Sequence, residues 1–195
     1  MSRTNLLIEK KMIKIDFIKY ITKFKNLLDF DLLTLNSIEN LYKILKKYKK
    51  NSGKIIIFGN GGSASIASHF SVDMTKNAKI KTINLNEYNL ITCFANDYGF
   101  ENWISKAIEF YSEKEDLIIL ISSRGESKNM IKAARKIKKL KLKLITFTGF
   151  KKNNSLKKLG DINIWINSKN YNYIENVHQI IMLSIVDFFN KKILK

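Results

Sequence analysis

Two short segments of this 195-residue sequence combine glycine with hydroxyl side chains, residue types suited to gripping an anion. Residues 59–63 (GNGGS) directly follow the apolar run KIIIF, and residues 122–127 (SSRGES) directly follow DLIILIS. Glycine lets a backbone approach an anion closely, and serine hydroxyls donate hydrogen bonds to phosphate oxygens. A helix beginning at such a segment also directs free N–H groups at the ligand. Together the two segments predict a phosphate site.

The spacing within the first segment excludes two well-known nucleotide-binding loops. No Gly-Lys-Ser/Thr follows it, so it is not a P-loop. Ala64 stands where a dinucleotide-binding G-x-G-x-x-G loop has its third glycine. The sequence therefore favours a phosphorylated small molecule over a nucleotide.

Both histidines of the chain lie close to carboxylates. His69 and Asp73 are four residues apart and share one face of a predicted helix, and Glu175 and His178 are three apart on another. Such pairs carry protons or bind a metal, and they also occur as hydrogen-bonded structural histidines. An acid–base or metal role requires the two helices to meet, so both interpretations stay open at this point.

After residue 53 the sequence alternates between strand-like and helix-like segments that would position these residues. Apolar β-branched runs predict strands at 54–58, 81–85, 116–122, 142–148 and 161–166. Helices are predicted at 63–76, at 88–112 in one or two pieces, at 127–140 and at about 173–193. Continuous apolar strands are typical of a parallel sheet covered on both faces, and ligands bind at the carboxyl edge of such sheets. Both glycine- and serine-rich segments would lie at that edge.

The first 50 residues predict two helices. Apolar residues at helical spacing form one stripe and then a second, which are Ile13, Phe17, Ile21, Phe24 and Leu28, then Leu35, Ile38, Tyr42, Leu45 and Tyr48. We therefore expect a single α/β domain over residues 1–195. It would comprise N-terminal helices (1–50) and a doubly wound core with a five-stranded parallel sheet flanked by helices (51–195).

The formal net charge of +18 does not by itself indicate a nucleic-acid partner. Lysine supplies 32 of the 35 basic residues, and arginine, which makes bidentate contacts to phosphates and bases, occurs only three times. The basic residues are also scattered, so no nucleic-acid partner is expected. No apolar run approaches the roughly 18 residues of a membrane span, and a single cysteine, Cys93, excludes a disulfide framework. We expect a cytoplasmic protein with no membrane partner.

The last predicted helix is apolar on nearly every side. Between Val177 and Phe189 it is interrupted mainly by His178, Gln179, Ser184 and Asp187. A helix without a polar face must be buried on several sides. The N-terminal helices would cover one side and a second subunit another, so we expect an oligomer, the alternative being the central helix of a monomer.

The motifs GNGGSAS…HFSVD, FANDYGFEN, ISSRGESKN and IENVHQI together resemble the sugar isomerase (SIS) domain, and within it the phosphoheptose isomerase branch. The resemblance runs from about residue 50 to the C-terminus. It implies a five-stranded parallel sheet and a homotetramer with active sites at subunit interfaces. It further implies conversion of sedoheptulose 7-phosphate into a glycero-manno-heptose 7-phosphate, for lipopolysaccharide or capsule heptose.

The resemblance also implies roles for individual residues, carried over position by position. Substrate and phosphate contacts fall on Asn60, Gly61, Gly62, Ser63, Asn96, Asp97, Ser122, Ser123, Arg124, Ser127 and Glu175. Ligands for a zinc ion fall on His69, Asp73 and Glu175, and Asp73 is also the catalytic base.

Four positions depart from the family pattern. Arg124 replaces a usual serine and still suits a phosphate, to which it could add a charge-assisted contact. Glu175 replaces a usual glutamine, keeps an oxygen ligand and adds a negative charge that a metal would tolerate. Asp73 replaces glutamate, which shortens its arm by one methylene. Leu183 occupies the position of a second catalytic and zinc-binding histidine, and leucine neither binds zinc nor carries a proton. His178 is no obvious substitute, because at 100° per residue it lies about 140° around the helix from position 183.

The main prediction is an aldose–ketose isomerase that works through an enediolate, with Asp73 as the base. The alternative, suggested by Leu183, is a non-catalytic SIS module that binds a phosphosugar or a protein. A DNA-binding regulator that uses the first 50 residues is disfavoured, because two long apolar stripes do not match the short helices of a helix-turn-helix.

Overall fold

The computed structural model describes residues 3–49 and 53–190. Five parallel strands form one sheet in the order β2-β1-β3-β4-β5, which confirms the predicted fold class. The strands are β1 (Ile55–Gly59), β2 (Thr82–Asn84), β3 (Leu117–Ser122), β4 (Lys143–Thr148) and β5 (Ile162–Trp165). The helices are α1 (Arg3–Asn26), α2 (Leu32–Tyr48), α3 (Gly62–Asp73), α4 (Tyr88–Tyr98), α5 (Trp103–Tyr111), α6 (Lys128–Lys139) and α7 (Tyr171–Asn190).

Helices cover both faces of the sheet. On β1, the side chains of Ile55 and Ile57 pack into a core shared with α2, α3 and α7. Those of Ile56 and Phe58 pack into a second core, on the opposite face, with α5 and α6. Because both faces are buried, β1 and β3 are apolar without alternation, which is the pattern that identified them in the sequence.

Two predicted helices are interrupted where the backbone changes conformation. The helix predicted at residues 63–76 ends as α3 at Asp73, and a π-helical turn over Met74–Ala78 follows. Lys79 closes that turn in the left-handed conformation, with φ at 61°. The segment 88–112 contains two helices, α4 and α5, separated by Gly99 with a φ of 83°.

The N-terminal helices differ in how they join the core. Leu41 and Leu45 of α2 are fully buried against the sheet near its edge strand β5. Four residues of the first predicted stripe lie on α1, and the fifth, Leu28, lies in the turn that follows the helix. Ile13 and Phe17 on that stripe are 63% and 64% exposed. Within the part of the chain that the structure describes, nothing covers Ile13 and Phe17, so the apolar stripe identifies a helix but not a buried face.

The last helix is likewise only partly covered. Val177, Ile181 and Ile185 of α7 are buried, whereas Ile180 and Phe188 lie on an exposed face at 39% and 44% exposure. The helix is therefore less enclosed within one protomer than its composition predicts. Among residues 3–49 and 53–190, no helix has both the length and the apolar character needed to cross a bilayer.

Candidate active site

The sheet brings the two predicted phosphate segments side by side. Gly59 at the end of β1 pairs with Ile121 near the end of the neighbouring strand β3, so both connections start at the carboxyl edge. Beyond the strands, Asn60 and Asn129 exchange two side-chain hydrogen bonds, each 3.0 Å long. The first turn is thereby joined to α6, the helix that directly follows the second turn. The convergence that the sequence predicted for these two segments is present.

The first turn is shaped by close packing at its glycines. A Cβ atom added to Gly62 would lie 2.2 Å from Oε2 of Glu175, so no side chain fits there unless Glu175 moves. Gly61 is exposed and has a φ of 54°, a conformation that suits glycine. Ser63 is buried, and its N–H donates to the carbonyl of Asn60.

The second turn presents serines and an arginine at the start of α6. Ser122 and Ser123 are buried at its base, and Arg124 is exposed. The N–H of Gly125, a residue with a φ of 68°, donates to the Ser122 carbonyl at 3.0 Å, which closes the turn. Ser127 precedes the first residue of α6, where free N–H groups and the positive end of the helix dipole favour an anion.

Glu175 lies between the two turns. The Ser123 hydroxyl is positioned to donate to its Oε1 at 3.3 Å, and its Oε2 is packed against Gly62. The first turn of α7 therefore contributes a carboxylate to the same edge of the sheet. Ser123 and Glu175 are 52 residues apart in the chain, so the sequence alone could not reveal their contact.

A cavity of about 440 Å³ opens next to these turns. It is lined by Asn60, Phe100, Glu101, Ser127, Lys128 and Asn129. Asn60 and Ser127 were predicted site residues, and the other four were not. These four, Phe100, Glu101, Lys128 and Asn129, all stand inside the motifs that carried the resemblance, so the signal was present, although no chemical role pointed to them individually.

Electrostatic pairing fixes part of the cavity wall. Lys132 donates to the Glu101 carboxylate and, at 3.0 Å, to Oδ1 of Asn102. The hydrogen bond and the charge of Lys132 hold the pKa of Glu101 below its usual range. The α4–α5 connection is thereby tied to α6.

Asn96 and Asp97 lie on α4, outside the set of residues that line this cavity. Both are exposed, and Nδ2 of Asn96 donates to Oδ1 of Asp97 at 3.0 Å. The thiol of Cys93, one turn earlier, lies 3.7 Å from the other oxygen of Asp97. Among the described residues, the side-chain hydrogen bonds of Asn96 and Asp97 join them to each other and to Cys93, and none joins them to the two turns.

His69 and Asp73 form a close pair at the far end of α3. Nε2 of His69 lies 3.3 Å from Oδ2 of Asp73, and both side chains are partly exposed. Asp73 is eleven residues after Gly62, which at 1.5 Å per residue separates their backbones by about 16 Å. The structure therefore brings the two turns together with Glu175 but not with Asp73 of the same chain.

The predicted zinc ligands are likewise divided within one chain. His69 and Asp73 lie together, whereas Glu175 lies beside Gly62 at the opposite end of α3. Among the described residues, no group of three His, Cys, Asp or Glu side chains is arranged to hold a metal ion. One protomer thus supplies two neighbouring ligands, and a complete zinc site would require others from elsewhere.

The two remaining positions of interest on α7 lie on different sides of that helix. Leu183 lines a surface groove of about 420 Å³ with Asn176, Gln179, Ile180, Ser184 and Asp187. His178 is fully buried, its ring packs edge-on against Phe147, and its Nε2 lies 3.2 Å from the Thr148 carbonyl. Burial lowers the pKa of His178 to about 4. This histidine is a neutral structural residue and does not replace the one absent at position 183.

Comparisons with known proteins identify the family of this chain. The SIS domain family model matches residues 19–149. A phosphoheptose isomerase of Helicobacter pylori strain P12 is 36% identical over 163 residues, covering 77% of this chain and 84% of the relative. One from Buchnera aphidicola is 30% identical over 187 residues, covering 89% and 95%.

Solved structures show the same fold. The structure of a phosphoheptose isomerase from Francisella tularensis matches with a TM-score of 0.80 at 23% identity, covering 94% of this chain and 98% of that one. The enzyme from Neisseria gonorrhoeae matches with a TM-score of 0.81 at 22% identity, covering 92% and 98%. The chain belongs to the SIS domain family. Within that family it belongs to the phosphoheptose isomerase branch, a group of sugar-phosphate isomerases.

Proposed function

We propose that this protein interconverts sedoheptulose 7-phosphate and D-glycero-D-manno-heptose 7-phosphate in the cytoplasm, supplying heptose for surface glycans. The observation that carries the proposal is the convergence of the two anion-binding turns, joined by the Asn60–Asn129 amide pair. The names of the curated relatives support the choice of a heptose phosphate among sugar phosphates. In this proposal the phosphoryl group binds at the turns, and the sugar extends from the cavity towards the catalytic carboxylate.

The reaction moves one proton between neighbouring carbons. A base removes the proton from the carbon next to the carbonyl while the carbonyl oxygen gains a proton, which gives an enediol. The base then returns a proton to the former carbonyl carbon, and the hydroxyl on the neighbouring carbon loses its proton to become the new carbonyl. We assign the base to Asp73, which exchanges protons directly with carbon. His69, 3.3 Å from the Asp73 carboxylate, orients it and is itself placed to exchange a proton with a substrate oxygen.

We further propose a homo-oligomer, most simply a tetramer, in which Asp73 of one protomer faces substrate held by the turns of another. The separation of about 16 Å along α3 supports this arrangement, since a phosphate at the turns is remote from Asp73 of the same chain. Exposed apolar residues near His69 and Asp73 support it as well. Val72 on α3 and Ile180 on the adjacent α7 are both exposed in the protomer, and large exposed apolar surfaces are typical of interfaces.

One observation favours a second candidate, a SIS module that binds a phosphosugar without converting it. Leu183 lies in an open groove with Gln179, Ser184 and Asp187, so an acid–base side chain would be accessible there, and leucine carries no proton. In this alternative the phosphate turns are retained for binding alone.

Turnover of sedoheptulose 7-phosphate by the purified protein tests the proposal. The assay is run with added zinc and with a chelator, which measures any contribution of the ion. Asp73→Ala is the control, because it removes the proposed base and leaves both phosphate turns intact. Turnover above this control supports the isomerase, and binding of the sugar phosphate without turnover supports the second candidate.

A further inference from the structure

The segment that follows β4 lies against the second turn, residues 122–127, which we call the serine turn. We call residues 149–156 the rear clasp. The N–H of Gly149 donates to the Ser123 carbonyl at 2.8 Å, and the N–H of Leu156 donates to the Gly125 carbonyl at 2.9 Å. The two ends of the clasp thus hold two carbonyl groups of a single short turn.

A side-chain contact adds to these backbone bonds. The Glu126 carboxylate accepts two hydrogen bonds from Ser155, from its N–H at 2.9 Å and from its hydroxyl at 2.7 Å. The hydrogen bonds from Ser155 hold the pKa of Glu126 below its usual range, so this carboxylate is ionised at neutral pH and the contact is charge-assisted. Three residues of the turn, 123, 125 and 126, are therefore hydrogen-bonded to the clasp.

Asn154 holds the clasp in its curved shape. It is 1% exposed, and its Nδ2 donates to the Lys151 carbonyl at 2.9 Å and to the Thr148 hydroxyl at 3.1 Å. Its Oδ1 accepts from the N–H of Lys157 at 2.9 Å. A Cβ atom added to Gly125 would lie 2.1 Å from that same Oδ1, so the amide packs directly beneath the turn. Removal of the Asn154 side chain would take away these three bonds and the amide that packs beneath the turn, and would leave the clasp the backbone bond from Asn154 N–H to the Lys151 carbonyl.

The direction of these bonds matters for anion binding. A turn that binds phosphate must present N–H groups to the anion and keep its carbonyl oxygens away, because carbonyl lone pairs repel negative charge. The clasp engages the carbonyls of Ser123 and Gly125, and its residues lie outside the set that lines the cavity beside Asn60 and Ser127. The carbonyls are thus held on the side of the turn that faces the clasp.

We propose that Asn154 and Ser155 are positioning residues that set the affinity of the serine turn for a phosphoryl group. The inference rests on the proposed function, because it assumes that this turn binds the substrate phosphate. Neither residue touches the substrate. They act by holding the turn in its binding geometry before the ligand arrives, which lowers the ordering cost of binding.

Binding of inorganic phosphate, measured by calorimetry, tests the proposal without relying on turnover. The variants are Asn154→Ala and the milder Ser155→Ala, with Ser155→Thr to restore a hydroxyl. The matched control is Asn163→Ala, because Asn163 also bridges two segments, accepting from the Thr146 hydroxyl and donating to the Gly160 carbonyl at 3.1 Å, but lies outside the clasp. Thermal unfolding shows how much stability each variant loses.

We expect Asn154→Ala and Ser155→Ala to weaken phosphate binding by about tenfold and threefold, with Ser155→Thr close to the parent. Asn163→Ala should lose stability and keep the parent affinity. In turnover assays the clasp variants should raise KM and change kcat little. If Asn154→Ala and Ser155→Ala both fold and both bind phosphate as tightly as the parent, the positioning role of the clasp is refuted. The proposed phosphate site is not affected by that result. A parent protein that binds no phosphate would instead refute the phosphate site, and the clasp with it.

Discussion

The hydroxyl of Ser123 and the carboxylate of Glu175 lie 3.3 Å apart, although 52 residues separate them in the chain. Glu175 also packs against Gly62, so one carboxylate contacts both anion-binding turns. The Glu175 carboxylate is negatively charged, and the proposed substrate phosphate would bring further negative charge close to it. At this edge of the sheet, Glu175 therefore opposes phosphate binding while it holds the two turns together.

Glu175→Gln should tighten phosphate binding. The amide keeps an oxygen acceptor for the Ser123 hydroxyl and removes the like charge, and a unit charge a few ångströms away in a solvated site is worth about 1 kcal/mol, or about fivefold in affinity. Calorimetry with inorganic phosphate measures the change. Glu39→Gln on α2 alters the net charge equally at a distance and should leave the affinity unchanged. Weaker binding by Glu175→Gln would show that the carboxylate supports the anion site.

Arg124→Ser should weaken phosphate binding. The guanidinium is exposed within the serine turn and is placed to add a charge-assisted hydrogen bond, the loss of which costs about tenfold in affinity. The loss should shrink as salt is added, because an exposed charge is screened. Arg135→Ser is the matched control, since Arg135 is also exposed, on α6. Equal losses in both variants would mean that only overall charge matters.

The placement of the turns was predictable from the sequence, because each follows an apolar strand and parallel strands end at one edge. The internal contacts of that site were not. Glu175 meets Gly62 only because α7 returns to pack beside α3, a tertiary relationship that spacing does not encode. Asn129 was within a recognised motif, but its pairing with Asn60 depends on how the start of α6 approaches the first turn.

Asp73 shows the limit of reasoning from one helix. Its spacing from His69 correctly predicted a close pair, because four residues make one turn. The resemblance assigned Asp73 and the phosphate contacts to one kind of active site, whereas a helix that begins at the first turn carries later residues of the same chain away from that turn. The exposed Ile13 and Phe17 show a related limit, since an apolar stripe predicts a helix and not which molecule covers it.

Stability should fall on acidification through the titration of His178. Its pKa in the folded protein is about 4, below the ordinary value of 6.5, because burial disfavours the charged ring. The neutral form is therefore favoured by folding, so its contribution is fully present above pH 6.5 and is lost as the pH falls towards 4. The difference corresponds to about 3 kcal/mol of unfolding free energy.

Urea unfolding of the parent and of His178→Leu at pH 7.5, 6.0, 5.0 and 4.5 measures this contribution. Carboxylates also titrate in the lower part of this range, so the informative quantity is the difference between the two proteins at each pH. As the pH falls, the free energy of unfolding of the parent should decrease relative to that of His178→Leu. A difference that stays constant from pH 7.5 to 4.5 would mean that His178 is not buried in the neutral form.

Mixing two inactive variants should restore activity if one site draws on two protomers. Asp73→Ala lacks the proposed base, and a Ser122→Ala, Ser123→Ala double variant lacks two hydroxyls of the phosphate turn. In a symmetric oligomer with random exchange, half of the turns and half of the Asp73 positions are intact, so about one quarter of the sites regain both. The two variants are unfolded together, refolded and assayed with sedoheptulose 7-phosphate.

Each variant refolded alone provides the baseline for that experiment. Recovery above both baselines requires an intact turn and an intact Asp73 to meet across an interface, since no single chain in the mixture carries both. Failure to recover, in a mixture shown by sizing to contain hybrid oligomers, would assign the base and the phosphate turn to the same chain. Asp73 would then have to act across the length of α3, which places its backbone about 16 Å from Gly62.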